Sequence, residues 1–424
     1  MRAPTRAIKF TLCGLAVAVL GCRREQPIPT QEATPGTIAV VATAPAERVA
    51  AGEAKRGVGW YPAVAVDEHD RVHLAWTDAD VGDVLYAASP AGAVHPGAPE
   101  PVESVGAAGG FVRLALAPGG APVVSYYHQG DHTLKVAHRP RDVVDMKAAG
   151  AIVDDEPAPA PAFRAGAPGW ALEEIAFGDE AGAEGALTVD AQGRVHLLYT
   201  TGGDRLRYAR RPPDVPAFGA GGVGHWEKID VDTVGPSPQV RADLRVLDDG
   251  TVVASYCDWQ VVMSHWRLAV RAPGAVAFVI TPARVEAKAG FDGVASALWR
   301  GSTGALDAAA VRLDDRSLTV ARFDPTAPAP LEERARLTSA RGPSVMRRAA
   351  DGTVWLLTRD PHDVDAPGLF LVEVPQGDAG KARRTRLEKG AQDDAWIDLA
   401  LRAGGRPVAV WFSEDGKALK LYAP

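Results

Sequence analysis

The stretch YPAVAVDEHDRVHLAWTDADVGDVLYAAS, residues 61–89, contains three short runs in which apolar and other residues alternate. Such alternation is the period of a β-strand that is buried on one face. Segments containing Asp or Gly separate the runs and suit tight turns. The stretch therefore predicts three consecutive antiparallel strands.

The same three-strand pattern recurs along the chain. Its further copies begin at Phe111, Gly185, Val240, Gly293, Ser344 and Trp396, and the copy at Gly293 is the most degraded. Comparable positions at the start of the second strand run from Val72 to Val408, which is 336 residues over six steps and a mean period of 56. A fixed period of this size predicts a repeat architecture.

A fourth strand is predicted just before each following copy, most clearly in WALEEIAF from Trp170 and WEKIDV from Trp226. Four strands in succession form a blade, and blades arranged radially make a β-propeller. The last copy stops after its third strand, whereas AERVAAGE from Ala46 reads as a fourth strand with no blade before it. Together they would complete one blade and remove an open sheet edge. The sequence thus predicts an all-β, seven-bladed β-propeller of four-stranded blades over residues 46–424, closed by an N-terminal strand.

Two segments are predicted to be linkers. Residues 22–45 contain four prolines and read as a flexible tether. Residues 141–169 read as an inserted mobile loop, because DDEPAPAPAFRAGAPG within them is too rich in Pro and Ala to hold one structure. A lid over one face of the propeller is an alternative role for this insertion.

The first 21 residues predict a signal peptide. Basic residues at Arg2, Arg6 and Lys9 precede an uncharged apolar run from Phe10 to Leu20. This order is typical of a secretory signal, and the run is shorter than the roughly 20 apolar residues that span a bilayer.

The sequence VLGC at positions 19–22 resembles the lipobox of bacterial lipoprotein signal peptides. The resemblance implies that Cys22 is acylated and anchors the protein to a membrane. Arg23 follows the cysteine, and by resemblance to Gram-negative lipoproteins an arginine there favours the outer membrane. We therefore expect a lipid-anchored protein of the cell envelope, at the outer membrane. An ordinary secretory signal with a chance cysteine is the alternative.

Composition narrows the classes of function. The net charge of −7 and the absence of a basic stretch argue against nucleic acid as the main partner. Apart from Cys22, which is predicted to be acylated, Cys257 is the only cysteine after the signal peptide, so no internal disulfide is expected. No P-loop, dinucleotide fingerprint, HExxH motif or nucleophile elbow is present, and we predict no cofactor and no metal. We expect a monomer.

The repeat resembles the sialidase-like and BNR-type propellers of bacterial envelope proteins. The shared features are a W..E.V strand, a D..G turn and a VH.A[WY] strand. Sialidases add aspartate boxes, an arginine triad and a Tyr/Glu nucleophile pair, but ADGTVW at 350–355 lacks the spacing of an aspartate box and no arginine set stands out. The resemblance therefore assigns no catalytic residue.

The candidate ligand-binding residues follow the second strands of their blades. The loops after the second and fourth strands of a propeller blade emerge on one face, around the mouth of the central channel. Carboxylates and imidazoles from several blades could there bind a cation or a sugar, or act as general acid and base. Asp and His in turns also cap strand ends and solvate loops, which is the alternative. The candidates are Asp78, His128, Asp258 and Asp360.

Two further patterns are attributed to structure. His73 and His196 occupy equivalent VH positions, but valines replace them in other copies, so a metal role is not expected. An aromatic residue recurs near the end of the second strand, at Trp76, Tyr126, Tyr199, Tyr256 and Trp411. This column predicts packing between neighbouring blades, with a platform for sugar rings as the alternative.

The leading functional hypothesis is a membrane-anchored, noncatalytic propeller that binds an envelope glycan or a protein partner as a scaffold. The alternative is a sialidase-like glycoside hydrolase or a polysaccharide lyase that acts at the channel mouth. A third hypothesis is a component of an envelope assembly machine, in which the propeller rim docks other lipoproteins. Fold resemblance alone does not decide between them.

Overall fold

The computed structural model describes most of the chain from residue 29 onward. The described residues are 29–34, 37–107, 109–139, 163–165, 167–182, 185–201, 204–211, 226–234, 242–259, 264–282, 291–300, 306–312, 318–325, 332–337, 344–360, 367–376, 382–390 and 396–424. Within these ranges no helix is long and apolar enough to cross a bilayer.

The strands follow one another in blades, and each blade forms one sheet in chain order, except that in blade two the fourth strand along the chain lies outside the fifth. Two strands and one helix precede the first blade: β1 (Thr30–Glu32), β2 (Ile38–Ala42) and α1 (Ala46–Ala50). Blade one contains β3 (Val58–Val66), β4 (Val72–Asp78), β5 (Asp83–Ala88) and β6 (Glu100–Glu103). Blade two contains β7 (Gly110–Leu116), β8 (Pro122–His128), β9 (Thr133–His138), β10 (Phe163–Ala165) and β11 (Ala171–Phe177). Blade three contains β12 (Gly185–Val189), β13 (Val195–Thr200), β14 (Arg205–Arg210) and β15 (Glu227–Thr233).

The remaining blades repeat this order. Blade four contains β16 (Ala242–Val246), β17 (Val252–Trp259), β18 (Ser264–Arg271) and β19 (Val279–Pro282). Blade five contains β20 (Phe291–Arg300), β21 (Leu306–Arg312), β22 (Leu318–Phe323) and β23 (Glu332–Leu337). Blade six contains β24 (Ser344–Arg348), β25 (Val354–Asp360), β26 (Gly368–Val374) and β27 (Arg383–Lys389). Blade seven contains β28 (Ile397–Leu401), β29 (Pro407–Ser413) and β30 (Ala418–Tyr422).

The chain is thus a seven-bladed β-propeller, as the repeat predicted. Successive strands of a blade pair antiparallel, so that Ala65 lies opposite His73 and His73 lies opposite Ala88. The first strand of each blade lines the central channel. The degraded copy at Gly293 also forms a complete four-stranded sheet.

The ring is closed by an N-terminal strand, but that strand is not the predicted one. β2 pairs antiparallel with β30, with Ile38 opposite Tyr422, and becomes the fourth strand of blade seven. The segment predicted as this strand, AERVAAGE from Ala46, instead begins with helix α1, which has no buried residue. Ala, Glu and Arg favour helix, whereas the Val and Ile of β2 favour strand.

The tether predicted over residues 22–45 also differs from the structure, because two propeller strands lie within it. Besides β2, strand β1 adds to blade six by pairing parallel with β27, with Thr30 opposite Arg384. The propeller therefore begins before the predicted boundary at residue 46. Residues 22–28, including Cys22, lie outside the described residues.

The insertion predicted at 141–169 is described only at its end. Residues 141–162 and 166 lie outside the described residues. Strand β10 falls inside the predicted loop and pairs antiparallel with β11, with Phe163 opposite Glu173. That part of the insertion is therefore an additional outer strand of blade two.

The core lies between neighbouring blades. The aromatic column at the ends of the second strands is at most 1% exposed, and each member packs in a cluster shared with an adjacent blade. This burial confirms the prediction of packing between blades and excludes the alternative of a sugar platform. Cys257 is likewise a buried core residue, 1% exposed, without a disulfide.

Candidate functional site

The loops after the second and fourth strands of the blades share one end of the propeller, which we call the mouth face. The predicted ligand-binding residues Asp78, His128 and Asp360 are each the last residue of a second strand and so lie at this face. Asp258 lies one residue before the end of β17. The side chain of Asp360 is not described, and its backbone lies opposite Gly368.

Asp78 is engaged by helix α1. Both of its carboxylate oxygens accept hydrogen bonds from the Arg48 guanidinium, and the Asp78 side chain is only 7% exposed. The neighbouring Asp80 accepts hydrogen bonds from the backbone N–H groups of Lys55, Arg56 and Gly57 at 2.6–3.0 Å. These contacts hold the segment between the closing strand and the first blade against blade one.

His128 belongs to a buried network between blades one and two. Its Nε2 donates to the Val105 carbonyl at 2.7 Å, and its Nδ1 lies 2.9 Å from a carboxylate oxygen of Asp131. Asp131 in turn lies 3.1 Å from Lys135 Nζ, which donates to Glu103 at 3.0 Å. The network ties the outer strand of blade one to the second and third strands of blade two.

Asp258 is fully buried and forms ion pairs with side chains of the next strand. Its oxygens contact the Arg267 guanidinium and accept the backbone N–H of His265 at 2.8 Å. Arg267 also lies 2.6 Å from Asp232 of blade three, which accepts the Tyr256 hydroxyl at 2.6 Å. Asp258 therefore stabilises the junction of blades three and four.

These networks share a pattern that explains why acidic residues recur here. An acid of one outer strand binds a hydroxyl and a cation of the following blade. The three sets are Glu103 with Tyr126 and Lys135, Asp232 with Tyr256 and Arg267, and Glu388 with Ser413 and Lys420. Asp78, His128 and Asp258 are likewise engaged in contacts with neighbouring segments of the propeller.

A different group of side chains faces solvent at the mouth. Trp60, Tyr61, Phe111 and Trp396 are all partly exposed and stand where the inner strands of blades one, two and seven begin. Ring centroids lie 4.2 Å apart for Trp60 and Trp396, 5.0 Å for Tyr61 and Trp396, and 4.8 Å for Tyr61 and Phe111. Buried Phe412 packs beneath the two tryptophans. We call these four exposed side chains the mouth aromatic cluster.

Two members of the mouth aromatic cluster have an unusual backbone. Tyr61 and Phe111 adopt left-handed φ angles of 50° and 54°, which bulky residues rarely do. Each follows a glycine two positions earlier that must approach another strand closely; a Cβ on Gly109 would lie 2.7 Å from Thr77 Oγ1. Backbone strain of this kind concentrates at functional sites.

The repeat contains a signal for this cluster that the sequence reasoning missed. Tyr61, Phe111 and Trp396 stand two residues before Ala63, Arg113 and Asp398, which occupy the same register on their blades. Three copies of the repeat, those of blades seven, one and two, thus begin with an aromatic residue at the same position. Because these blades are adjacent in the closed ring, the three rings meet.

The opposite face contains two buried relays of Asp, His and Tyr. In blade one, the Tyr86 hydroxyl lies 2.6 Å from His73 Nδ1, and His73 Nε2 lies 3.4 Å from Asp67. Burial alone would raise the pKa of Asp67, but hydrogen bonds from Arg71 and His73 bring it down to about 2. Burial raises the pKa of Tyr86 far above its usual range.

Blade three repeats the relay. His196 bonds the Tyr208 hydroxyl at 2.6 Å and Asp190 at 3.1 Å. Both copies carry the spacing D-x3-R-V-H, and all six side chains are largely buried. Each relay connects a turn to the second and third strands of its own blade, and it occurs in two blades. We therefore attribute it to the stability of the blade. In the described part of the chain, no group of three or more His, Cys, Asp and Glu residues is arranged to hold a metal ion.

Three buried histidines predict that stability falls in mild acid. Burial lowers the pKa values of His73, His138 and His196 below that of the unfolded chain. The unfolded state therefore binds more protons, so their contribution is present above about pH 6.5 and is lost as the pH falls below it. We expect urea unfolding to show a lower free energy at pH 5 than at pH 7.5, by up to about 1.4 kcal/mol per pH unit for each histidine.

The variant His138→Leu should reduce this pH dependence, whatever it does to the stability at pH 7.5. Replacement of the exposed His95 by Ala is the control and should leave the pH slope of the parent. An equal slope in the parent and in His138→Leu would contradict the assignment.

Comparison with known proteins identifies the fold. No protein-family model matches the chain, and no curated protein matches it. A fungal alcohol oxidase of the AA5 family, solved with copper, is 13% identical over 87% of this chain and 74% of its own, with a TM-score of 0.55. A protein of unknown function from Dyadobacter fermentans is 14% identical over 86% of this chain and 94% of its own, with a TM-score of 0.47. An α-L-arabinanase of Penicillium chrysogenum is 10% identical over 91% of this chain and 97% of its own, with a TM-score of 0.45. At 13% identity, the similarity to the oxidase shows the fold alone.

Proposed function

We propose that the propeller is a noncatalytic binding protein that holds a glycan on the mouth aromatic cluster. The observation that carries this proposal is the contact of Trp60, Tyr61, Phe111 and Trp396, partly exposed, at the entrance of the channel. Aromatic faces supply rigid, apolar contact area for the C–H faces of sugar rings. A cluster drawn from three blades offers several such faces in one place.

The pairing of the nearby acids supports binding over hydrolysis. A glycosidase uses two carboxylates on either side of the scissile bond. Asp78 and Asp258 are instead held by Arg48 and Arg267. Replacing Asp258 would break one of the two ion pairs of the partly buried Arg267, so loss of activity in such a variant would not by itself identify a catalytic residue.

We further propose that a lipid on Cys22 anchors the propeller in the cell envelope, at the outer membrane. The segment between Cys22 and Pro29 spans at most about 25 Å when fully extended. Strand β1 runs parallel to β27, which ends at the mouth face. Thr30, the first residue of β1, therefore lies toward the opposite face of the propeller. This direction favours a mouth that faces away from the anchoring membrane.

Binding can be tested with residues 23–424 and a panel of envelope glycans. A ligand at a hundred times its Kd stabilises the fold by about 2.7 kcal/mol, which gives a readable thermal shift. For the ligands found, calorimetry should show that Trp60→Ala and Trp396→Ala each weaken binding tenfold or more, since one lost aromatic contact of about 1.4 kcal/mol has that effect. Phe177→Ala is the matched control, because Phe177 is 70% exposed but lies outside the cluster.

Two results would overturn the proposal. The first is a glycan that binds the parent and both tryptophan variants equally. The second is cleavage of a polysaccharide at enzymatic rates by the parent. If no glycan binds, docking of an envelope protein takes precedence.

A further inference from the structure

The inner strands line a cavity of about 480 Å³ in the half of the central channel that is further from the mouth face. Blades one, two, three and seven contribute mostly apolar and small residues: Val64–Val66, Leu114–Leu116, Leu187–Val189 and Ala400–Leu401. Blade five contributes Leu298. Blades four and six contribute charged residues: Asp243, Arg245, Arg347 and Arg348. The two sides of the cavity therefore differ in chemistry.

Two of these arginines occupy the same level of the channel. Arg245 lies opposite Val253 and Arg347 opposite Trp355, which is the same register position in blades four and six. Their side chains are 43% and 31% exposed. At this level the other described inner strands on the facing side carry only small residues: Ala65, Ala115, Thr188 and Ala400. The small residues leave room in front of the guanidinium groups.

The acids beside these arginines are committed to the backbone. Asp243 accepts the N–H groups of Leu244 and Leu298, and its nearest approach to the Arg245 Nε is 3.8 Å. Asp398 accepts the N–H groups of Val64 and Leu399 at 2.9 and 2.8 Å. Both carboxylates therefore serve to join the inner strands of adjacent blades.

Each arginine keeps donors for a ligand. Arg245 donates from Nε to the Leu298 carbonyl at 3.1 Å, and Arg347 donates to the Met346 carbonyl at 2.8 Å and to Asp398 at 3.3 Å. A guanidinium has five N–H donors, which is more than these contacts use.

The arginine level lies below the mouth aromatic cluster. Tyr61 belongs to the cluster and Ala65 faces the arginines from the same strand, four residues further on, which is about 13 Å at the rise of a strand. A glycan stacked at the mouth must therefore extend about 13 Å into the channel to reach Arg245 and Arg347.

We propose that the channel receives an oxyanion substituent, a carboxylate or a sulfate, of the glycan bound at the mouth, and that Arg245 and Arg347 bind it. Guanidinium groups recognise such oxyanions through paired, charge-assisted hydrogen bonds. The inference rests on the proposed glycan binding and adds to it the chemical class of the glycan.

The test compares three oligosaccharides of equal length by calorimetry on the mature chain: an oligogalacturonate, a sulfated galactan and a neutral galactan. We expect at least one acidic ligand to bind tenfold or more tightly than the neutral one, and this preference to shrink as salt rises. Tighter binding of the oligogalacturonate would identify a carboxylate, and tighter binding of the sulfated galactan would identify a sulfate.

The double variant Arg245→Gln with Arg347→Gln should lose this preference and keep the affinity for the neutral ligand. Arg205→Gln is the control, because Arg205 is 58% exposed on the third strand of blade three and does not line the cavity. If the double variant melts early, the single variants Arg245→Lys and Arg347→Lys, which keep the charge but not the planar fork, should each show a reduced preference.

The outcomes separate this inference from the proposed function. Equal binding of all three ligands, or an unchanged preference in the arginine variants, overturns the channel site. The proposed glycan binding at the mouth still stands in that case if Trp60→Ala abolishes binding. Failure of all three ligands to bind overturns the channel site, and the broader panel then decides the function.

Discussion

A variant that begins at residue 44, and so lacks β1 and β2, is expected to lose about 5 kcal/mol of stability or more and to aggregate. β2 supplies the outer strand of blade seven, where Val41 and Ala42 pack on a core that contains fully buried Leu419 and Leu421. Its removal exposes this apolar surface and leaves the backbone groups of β30 without partners. Because a domain of this kind is stable by only about 5–15 kcal/mol, the loss should abolish cooperative unfolding.

Urea unfolding followed by fluorescence, together with gel filtration, measures the effect of the deletion. A variant that begins at residue 37 is the control, because it lacks only β1, whose three residues are all exposed. That shorter deletion should cost about 1 kcal/mol, the size of a few exposed contacts. If both deletions unfold at the urea midpoint of the parent, β2 does not close the ring.

The repeat predicted the fold because it is encoded locally. A run of alternating residues and a glycine turn report on one blade at a time, and the count of copies then sets the number of blades. The location of the closing strand could not be obtained in this way, because that strand has no neighbours of its own repeat. AERVAAGE and the segment of β2 are both short, and although β2 has the higher strand propensity, only its pairing with Tyr422 and Leu419 establishes which segment closes the ring.

The sequence predicted on which face of the propeller the candidate residues lie, but not which partners their side chains contact. The sequence places Asp78 at the end of a strand, but its partner Arg48 stands 30 residues earlier, on a helix that was predicted to be a strand. A pattern of single residues cannot indicate whether a carboxylate is paired across blades. The mouth aromatic cluster could have been found, since three copies of the repeat begin with an aromatic residue.

Glu173→Ala is expected to destabilise the propeller by about 3–5 kcal/mol. Glu173 is buried at the junction of blades two and three, where it forms an ion pair with Arg211, lies 3.1 Å from His138 Nε2 and accepts the Trp226 indole N–H at 3.2 Å. Burial lowers the pKa of Arg211 to about 10, so the arginine stays charged at neutral pH. Without the carboxylate, the interior holds a charge with its main partner removed, which is the costly way to break a buried pair.

Glu100→Ala is the matched control for this measurement. Glu100 and Glu173 occupy the same register on their outer strands, opposite Tyr86 and Val136, and Glu100 pairs with Arg139 of the next blade as Glu173 pairs with Arg211. The control pair is far more exposed, at 37% for Glu100 and 42% for Arg139. Water therefore replaces the lost partner, and urea unfolding should show a cost below about 1 kcal/mol. Equal costs for the two variants would mean that the repeat position, and not the burial of the pair, sets its contribution.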